Sequence, residues 1–528
     1  MHASRLEPLV EKRTFLSRWS PVAVAGLWAG AAGFFWLWPA SWDRHTRVMG
    51  LWSASLLACL ALVAWWFLFA RAGWAPRLVV PVCIVVLGFF SIRDVQFKGD
   101  MKPIIRFVWN RTADDVLEAH RHRQVFADDL PAVDLADGNE RNFPEYRGRR
   151  RDGVVEGPAL ARDWEARPPR ELWRQPAGGG YASFAVAGNL AVTIEQRRDR
   201  EAVVAYDTAT GRERWTFDYL AHFVERLGGP GPRATPTIAG DAVFSLGATG
   251  MLVCLDAKTG DLRWSANILK DNDNITWGMS GSPLVFDDVV VVNPGAQRES
   301  NRGNAVIALD RATGKEKWRA GNGRAGYSSP MLATLANERQ VLLLDAEGLS
   351  GYDPAGDGEL WRFPFPTYQG INVCQPVVLD GDRVFISAGY DVGAVLVQVT
   401  HTAGKWSASD LWRTKAMRCK FTSPVAYQGH LYGLDEGVLT CLDAATGARK
   451  WREGHYGHGQ VLRAGDLLVI LAESGELALV EATPAEHRQL GIIQALDANS
   501  GKTWNNPALA DGKVFVRNHQ EMACYGLR

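Results

Sequence analysis

The groups in this 528-residue chain that could do chemistry are a few acidic, amide and imidazole side chains at the ends of strand-like runs. Glu195 and Gln196 close the run TIEQ, Asp435 and Glu436 follow HLYGL, and Glu473 and Glu521 hold similar places. Such oxygens coordinate hard cations like Ca2+, although a surface strand that ends in Glu is explained equally by solubility. Asp114, Asp115, His120 and His122 form the other set of metal-ligand types. They share one amphipathic stretch beginning TADDVLEAH, with no convergent fourth ligand, so the solvated face of a helix is the better account. Seven cysteines, at 59, 83, 254, 374, 419, 441 and 524, show no CxxC or CxxCH spacing. That removes zinc, thioredoxin-like and c-type haem chemistry and leaves buried structural thiols.

These groups act together only if the fold collects them, and an internal repeat supplies the frame. DTATGRERW ends at Trp215, DAKTGDLRW at Trp264, DRATGKEKW at Trp318, DPAGDGELW at Trp361 and DAATGARKW at Trp451, with Asp eight positions before Trp each time. Looser copies end at Trp412 and Trp504, and a half-copy, Glu-Leu-Trp, ends at Trp173. Paired apolar runs follow the markers, split by Gly, Asp or Asn turns, as in TPTIAGDAVFSLG and QPVVLDGDRVFISAG. Those turn residues tolerate the positive φ of a tight hairpin. Four antiparallel strands per repeat of about 45 residues make one blade of a β-propeller.

Three strands follow Trp504, and the strand around Trp173 is left over at the other end. The fold expected is therefore all-β, an eight-bladed propeller closed by pairing of its N- and C-terminal strands, which removes exposed sheet edges. The repeat itself needs no ligand: Asp and Thr cap a turn, Gly takes the conformation others resist, and Trp covers the junction between blades. The copies differ downstream of each Trp, in the loop that leads to the next innermost strand. There the chain places Tyr181, Arg233, Trp277, Tyr327, Asn372, Lys420, His458 with Gln460, and Asn505. Cations, amides and aromatics at the mouth of a ring suit an anionic or polyol ligand with an aromatic face. Turn residues that satisfy loop backbone groups are an equal reading.

The D-x-x-T-G-x-x-x-W units resemble the pyrroloquinoline-quinone (PQQ) repeat of quinoprotein alcohol and glucose dehydrogenases and of the propeller lipoprotein of outer-membrane assembly. FPEYRGRRRDGVVEG from Phe143, with LeuTrpArg and GGGYASFAVAGN after it, is similar to the lead-in to the first blade in bacterial PQQ-like repeat proteins. The resemblance covers residues 143 to 528 and implies the fold; both enzymes and non-enzymes carry it. For a quinoprotein it implies bound PQQ and Ca2+. The adjacent cysteine pair of many such alcohol dehydrogenases is missing here, and the Ca2+ ligands and catalytic Asp have no residue-by-residue counterpart. Glu195, Asp435 and Glu473 remain as metal candidates.

Hydrophobic residues make up 47% and charged residues 22% of the chain, which fits folded protein, and 58 basic side chains balance 58 acidic ones, so nothing draws it to nucleic acid. Two stretches without charge, between Arg18 and Asp43 and between Arg47 and Arg71, are long enough to cross a bilayer. Trp38, Trp42, Trp52 and Trp74 mark their ends, and no cleavage site follows. A shorter run, residues 78–92, spans if Arg77 and Arg93 reach opposite headgroup layers. Arg5, Lys12, Arg13 and Arg18 favour a cytoplasmic N-terminus. Three spans then put the large domain outside the cytoplasm, and two would leave it inside.

The organisation expected is a membrane anchor over 1–95, a charged linker with a short amphipathic helix over 96–142 and the propeller over 143–528. On this reading the chain is a ligand- or protein-binding scaffold on the periplasmic side of a bacterial inner membrane, with an envelope protein as possible partner. The alternative is a PQQ- and Ca2+-dependent dehydrogenase of an alcohol or sugar.

Overall fold

The Asp-x-x-Thr-Gly turns are built as their chemistry requires. Asp207 Oδ1 accepts from the backbone N–H groups of Ala209 and Thr210 at 3.0 and 2.8 Å and from the Thr210 hydroxyl at 2.9 Å, and Asp310 and Asp443 repeat the pattern. The following Gly has φ of +70° at 211, +70° at 314 and +71° at 447, where a Cβ is disfavoured. Each turn joins the third and fourth strands of an antiparallel sheet, and eight such sheets form the propeller.

The computed structural model describes residues 7–37, 44–69, 73–99, 101–124, 130–136, 138–155, 157, 159–270, 272–498 and 501–528. It divides into two compact units, Met1–Arg111 and Thr112–Arg528. In the second unit, blades 1 to 7 occupy residues 185–220, 237–267, 284–320, 331–364, 377–414, 425–455 and 460–494. Blade 8 is composite: Ala508–Ala510, Lys513–Arg517 and Glu521–Gly526 take Arg170–Pro176 as fourth strand, with Cys524 opposite Trp173. Blade 7 carries a fifth strand, Val154–Val155, parallel to its innermost one.

On six of the eight blades the Trp of the outermost strand reaches the turn of the next blade. Trp173, Trp215, Trp264, Trp412 and Trp451 donate Nε1–H to the carbonyls of Thr208, Ala257, Arg311, Ala444 and Thr483. The turn glycine lies flat on the indole: a Cβ on Gly260 would stand 2.7 Å from the Trp215 ring, and one on Gly314 2.5 Å from that of Trp264. Trp318 meets Gly356 in the same way, while Trp361 turns its N–H to Gln340 of its own blade. Burying an indole removes ~150–250 Å² from water, roughly 4–6 kcal/mol before the cost of ordering it.

Trp504, read from the sequence as the eighth marker, is not one. It sits in the loop ahead of Ala508, and the outermost strand of blade 7 is Gln489–Gln494, which has no Trp. The reason is topological. The third and fourth strands of blade 8 come from distant parts of the chain, so no turn joins them and there is nothing for a blade-7 indole to cover. Trp164 fills the place instead, lying 2.4 Å from where a Cβ on Gly491 would be.

The innermost strands are tied to one another by the Ser, Thr or Gln that precedes the proline at the entry of blades 2 to 6. Backbone N–H groups of Ser183, Thr235, Ser282, Ser329 and Gln375 donate to the side chains of Thr235, Ser282, Ser329, Gln375 and Ser423 at 2.8–3.3 Å, one blade to the next. Inside this belt lies Phe143–Gly153, taken from the sequence as a lead-in to the first blade. It is a hub. Arg151 donates to the carbonyls of Ser282, Pro283 and Pro330, to Thr237 Oγ1, and to Glu145 at 2.6 Å. Arg147 reaches the carbonyls of Pro424 and Val461 and the side chain of Asn506. With Phe143 paired to Val186 and the Pro144 carbonyl to the Ile238 N–H, the hub bonds to blades 1, 2, 3, 4, 6, 7 and 8. Both guanidinium groups are 1% exposed, a burial tolerable only because so many carbonyls receive them.

The first unit holds α1 (Glu7–Leu37), α2 (Arg44–Phe69) and α3 (Trp74–Ser91). Three segments, Ser20–Leu37, Thr46–Phe69 and Trp74–Ser91, are long and apolar enough to cross a membrane. Trp38, Trp42, Arg5 and Arg71 lie outside the described residues. α3 starts earlier than its apolar run predicted, and its 18 residues reach about 27 Å. A hairpin not expected from the sequence follows at once, β1 (Ile92–Phe97) and β2 (Pro103–Phe107). The amphipathic stretch forms α4 (Ala113–Arg121), where Asp115 and Thr112 make a capping box and His120 meets Gln124 and Gln175. Asp114 faces the Arg198 N–H at 3.4 Å, so these side chains are spent on local structure rather than gathered as ligands.

Candidate functional site

The loops that enter the innermost strands place several of the expected side chains in contact. Arg233 Nη2 donates to the Gly229 carbonyl at 2.9 Å, and its guanidinium lies 4.6 Å from the Phe223 ring and 5.6 Å from that of Tyr181. Tyr181 packs on Trp504 at 5.4 Å, Trp504 on Phe421 at 4.5 Å, and Phe421 edge-on against His458 at 5.5 Å. Lys502 Nζ stands 4.3 Å over the Trp504 ring, and Lys420 Nζ 4.8 Å over that of Tyr390. Trp277 and Tyr327 form a second aromatic pair at 5.6 Å. Burial lowers the Arg233 guanidinium to about 10, which leaves it charged at neutral pH, and raises the Tyr327 phenol to about 12.

Three of the expected residues do something more local. Asn372 donates its amide N–H groups to the carbonyls of Asp345 and Phe365, Asn505 to those of Gly180 and Ala182, and Gln460 to those of Phe421 and Trp504. These amides hold the loops. Spending both N–H bonds on backbone also fixes the amide plane, and Asn372 Oδ1 and Asn505 Oδ1 are left buried without a protein donor among the described residues.

The hairpin formed by Val224–Glu225 and Gly229–Pro230 lies over part of this face. Lys502 Nζ donates to the Leu227 carbonyl, and a Cβ on Gly229 would come within 2.7 Å of Tyr181 Oη. Glycine is what allows so close an approach. Sequence reasoning missed Phe223, Phe421 and Lys502 and misplaced Trp504. Phe421 and Lys502 stand one and three positions from expected residues, while Trp504 was hidden by its marker-like spacing.

Fitting a Ca2+ ion to the expected carboxylates fails on their existing partners. Glu195 is fully buried: Oε1 accepts from Arg197 at 2.8 Å, and Oε2 from the Gly178 N–H at 3.0 Å and from Arg517 at 3.3 Å. Asp435 sits between Arg418 and Arg452, at 2.8 and 2.7 Å. Glu473 accepts from the Trp504 indole N–H at 2.9 Å and from the His458 backbone N–H at 3.2 Å. Gln196 is bonded to four backbone groups, and Glu521 is paired with Arg174. Glu195 and Asp435 are thus engaged as ion-pair partners, and no group of three or more His, Cys, Asp or Glu that could hold a metal ion occurs among the described residues. Cys374 and Cys419, 45 positions apart, are buried free thiols in one hydrophobic cluster between blades 5 and 6, and Cys374 Sγ donates to the Gln375 carbonyl at 3.3 Å.

One carboxylate beside the site is held by neutral hydrogen-bond donors, with Arg233 acting on it only through its charge. Glu201 is buried, with Oε2 accepting from the Tyr219 hydroxyl at 2.7 Å and Oε1 from the Ala248 N–H at 2.9 Å. Burial outweighs those bonds and raises its carboxyl above the ordinary value. A raised acid stabilises the fold below its unfolded value, and that contribution is lost as pH rises through the folded one. Glu201→Gln is accordingly expected to flatten the fall in thermal midpoint with rising pH above ~4.3, the ordinary Glu value, read by a melting series across pH.

Residues 199–453 match the family model described as PQQ_2, outer membrane protein assembly factor BamB. The quinohemoprotein alcohol dehydrogenase ADH IIB of Pseudomonas putida is 29% identical over 165 residues, 30% of this chain and 22% of that protein. The dehydrogenase subunit of the alcohol dehydrogenase (quinone) of Komagataeibacter europaeus is 30% identical over 129 residues, 22% of this chain and 16% of that protein. The matches thus span less than a quarter of the length of these curated relatives. Among solved structures, the quinohemoprotein alcohol dehydrogenase of Comamonas testosteroni superposes with a TM-score of 0.52 at 13% identity, over 78% of this chain and 84% of that one. BamB of Moraxella catarrhalis gives 0.48 at 14%, over 68% and 98%. At 13% identity the likeness to the Comamonas testosteroni enzyme is one of fold.

Proposed function

We propose that this PQQ-like repeat β-propeller is a membrane-anchored binding module, which holds an anionic ligand or the acidic segment of an envelope protein on its ring face without chemistry of its own. The observation that carries this reading is the aromatic and cationic cluster of Arg233, Tyr181, Trp504, Lys502 and Phe421, continued by Lys420, with two buried amide oxygens beside it. Indole and phenol faces receive a flat or apolar body, and the cations fix its negative end. The dehydrogenase reading draws on the names of the matched relatives, and would need Ca2+ held by oxygens that here hold guanidinium groups.

Purified protein mixed with PQQ and Ca2+ tests the choice. PQQ serves as a planar anionic probe, and we expect it to bind without dye reduction by alcohols or aldoses. Bound quinone with turnover would overturn the scaffold reading. Arg233→Ala and Lys420→Ala should each weaken binding of the probe roughly tenfold, as for loss of a charge-assisted contact, with the melting curve kept. A collapse of the fold instead would make both residues structural.

The three apolar helices are taken as spans, with the N-terminus in the cytoplasm of a bacterial inner membrane and the propeller on the periplasmic side. A phosphatase reporter, active only when exported, fused after Lys102 should be active. A reporter active there only in the cytoplasm sinks this topology.

A further inference from the structure

We propose that the β1–β2 hairpin and the Trp109 turn that follows it lie on the surface of the bilayer, with their apolar face in the boundary between headgroups and acyl chains and their basic residues on anionic lipid phosphates. This rests on the reading that α3 lies in the membrane. The hairpin starts at Ile92, the residue after the last of α3, and the Val108 N–H bonds back to the Ser91 carbonyl at 2.9 Å, so strand pairing continues down to the helix end. Arg93 donates to the carbonyls of Val108 and Asn110, both at 2.6 Å, and Asn110 Oδ1 accepts from the Phe107 N–H at 2.9 Å. A surface so tied to the end of a membrane helix stays at the level where that helix leaves the hydrocarbon.

Its two faces differ. The register sets Val95 opposite Ile105 and Phe97 opposite Pro103, while Asp94 faces Arg106. Strand residues two apart share a face, so Val95, Phe97, Pro103, Ile105 and Phe107 line one side. That side is the uncovered one: Ile105 is 45% exposed, and Trp109, stacked on Phe107 at 4.8 Å, is 68% exposed. On the other side Gln96 is buried. An apolar face turned outward beside a membrane helix, with an indole at its edge, has the composition of the interface layer. Between Ile92 and Arg111 the chain carries five basic residues, Arg93, Lys98, Lys102, Arg106 and Arg111, against two acidic ones, Asp94 and Asp100. That excess suits anionic headgroups.

The test uses the full chain in vesicles of phosphatidylcholine with phosphatidylglycerol. Single nitroxides are placed by Ile105→Cys or Phe107→Cys in a Cys59→Ser, Cys83→Ser background, since the other five cysteines are buried. Leu87→Cys in α3 is the lipid reference, and Lys258→Cys on a propeller turn is the water reference. Oxygen should relax the 105 and 107 labels more than a water-soluble nickel chelate does, as at 87 and opposite to 258. Access to the chelate at 105 and 107 equal to that at 258 overturns the proposal, and shielding from both reagents overturns it in favour of a protein partner. Chelate access at 87 would instead overturn the reading of α3 as a membrane helix, which separates the two failures. Lys98→Gln with Lys102→Gln, or vesicles of phosphatidylcholine alone, should make the 105 label shallower; equal depth overturns the assignment to anionic lipid.

Discussion

Arg151→Met is expected to lower the stability of the propeller by about 3–5 kcal/mol, the range for removing one partner from a buried charge network. The guanidinium donates to three backbone carbonyls on blades 3 and 4 and to Thr237 on blade 2, and it neutralises Glu145. Methionine fills much of the volume and satisfies none of those acceptors. The Pro283 carbonyl would keep the Thr237 hydroxyl as a donor, whereas those of Ser282 and Pro330 would lose the guanidinium bond, and each buried, unmade bond carries its own cost. Glu145 is half-buried, and its carboxyl, already raised by desolvation and lowered only by arginines, would take up a proton. The measurement is the urea or thermal midpoint of the purified protein, with Arg150→Met as the control: Arg150 is exposed and its pair with Asp152 is a surface one. Loss of no more than the control would mean the hub is passive filling.

Glu195→Gln separates structure from metal binding at the other end of the same argument. Burial pushes this carboxyl up, but Arg197 and Arg517 outweigh it and hold it below the ordinary value. A depressed acid contributes stability above its unfolded value and loses it as pH falls through the folded one. The variant should therefore be about 3–5 kcal/mol less stable than the parent at neutral pH, with the gap closing as pH drops below ~4.3. The sign is opposite to that for Glu201. A Ca2+ site would behave otherwise: added Ca2+ would stabilise the parent and not the variant. Equal response of both proteins to Ca2+ is the expected result.

The blade count, the strand order and the ring-face loops were legible because repeats report themselves. Spacing alone found seven of the true markers and the composite blade. It failed at Trp504 for a physical reason, since a marker is defined by the turn it covers and not by its distance from the last Trp. The hub was written plainly as RGRRRDG, yet a run of arginines reads as a solvated charge cluster until carbonyls from many blades are known to converge on it. Glu195 shows the same blindness in reverse: a carboxylate at a strand end looks available until Arg517, more than three hundred positions away, is seen beside it. Tyr181, Arg233 and Lys420 lie in the loops that the repeat points to, and in the same loops the amides of Asn372 and Asn505 are spent on backbone carbonyls. Sequence gives the loop and leaves the direction of each amide to the fold.

The hub also acts as a gauge. Proteins made of tandem units gain and lose copies by duplication, and an open stack tolerates this because each unit meets only its neighbours. Here a single segment of eleven residues touches blades on opposite sides of the ring at once, blades 2 and 6 and blades 3 and 7, through side chains of fixed reach. A ninth blade would widen the circle beyond the span of Arg147 and Arg151, and a ring of only seven would crowd them out. Duplicating one unit should thus yield a misassembled chain rather than a larger ring. The number eight is held by the centre as much as by the rim.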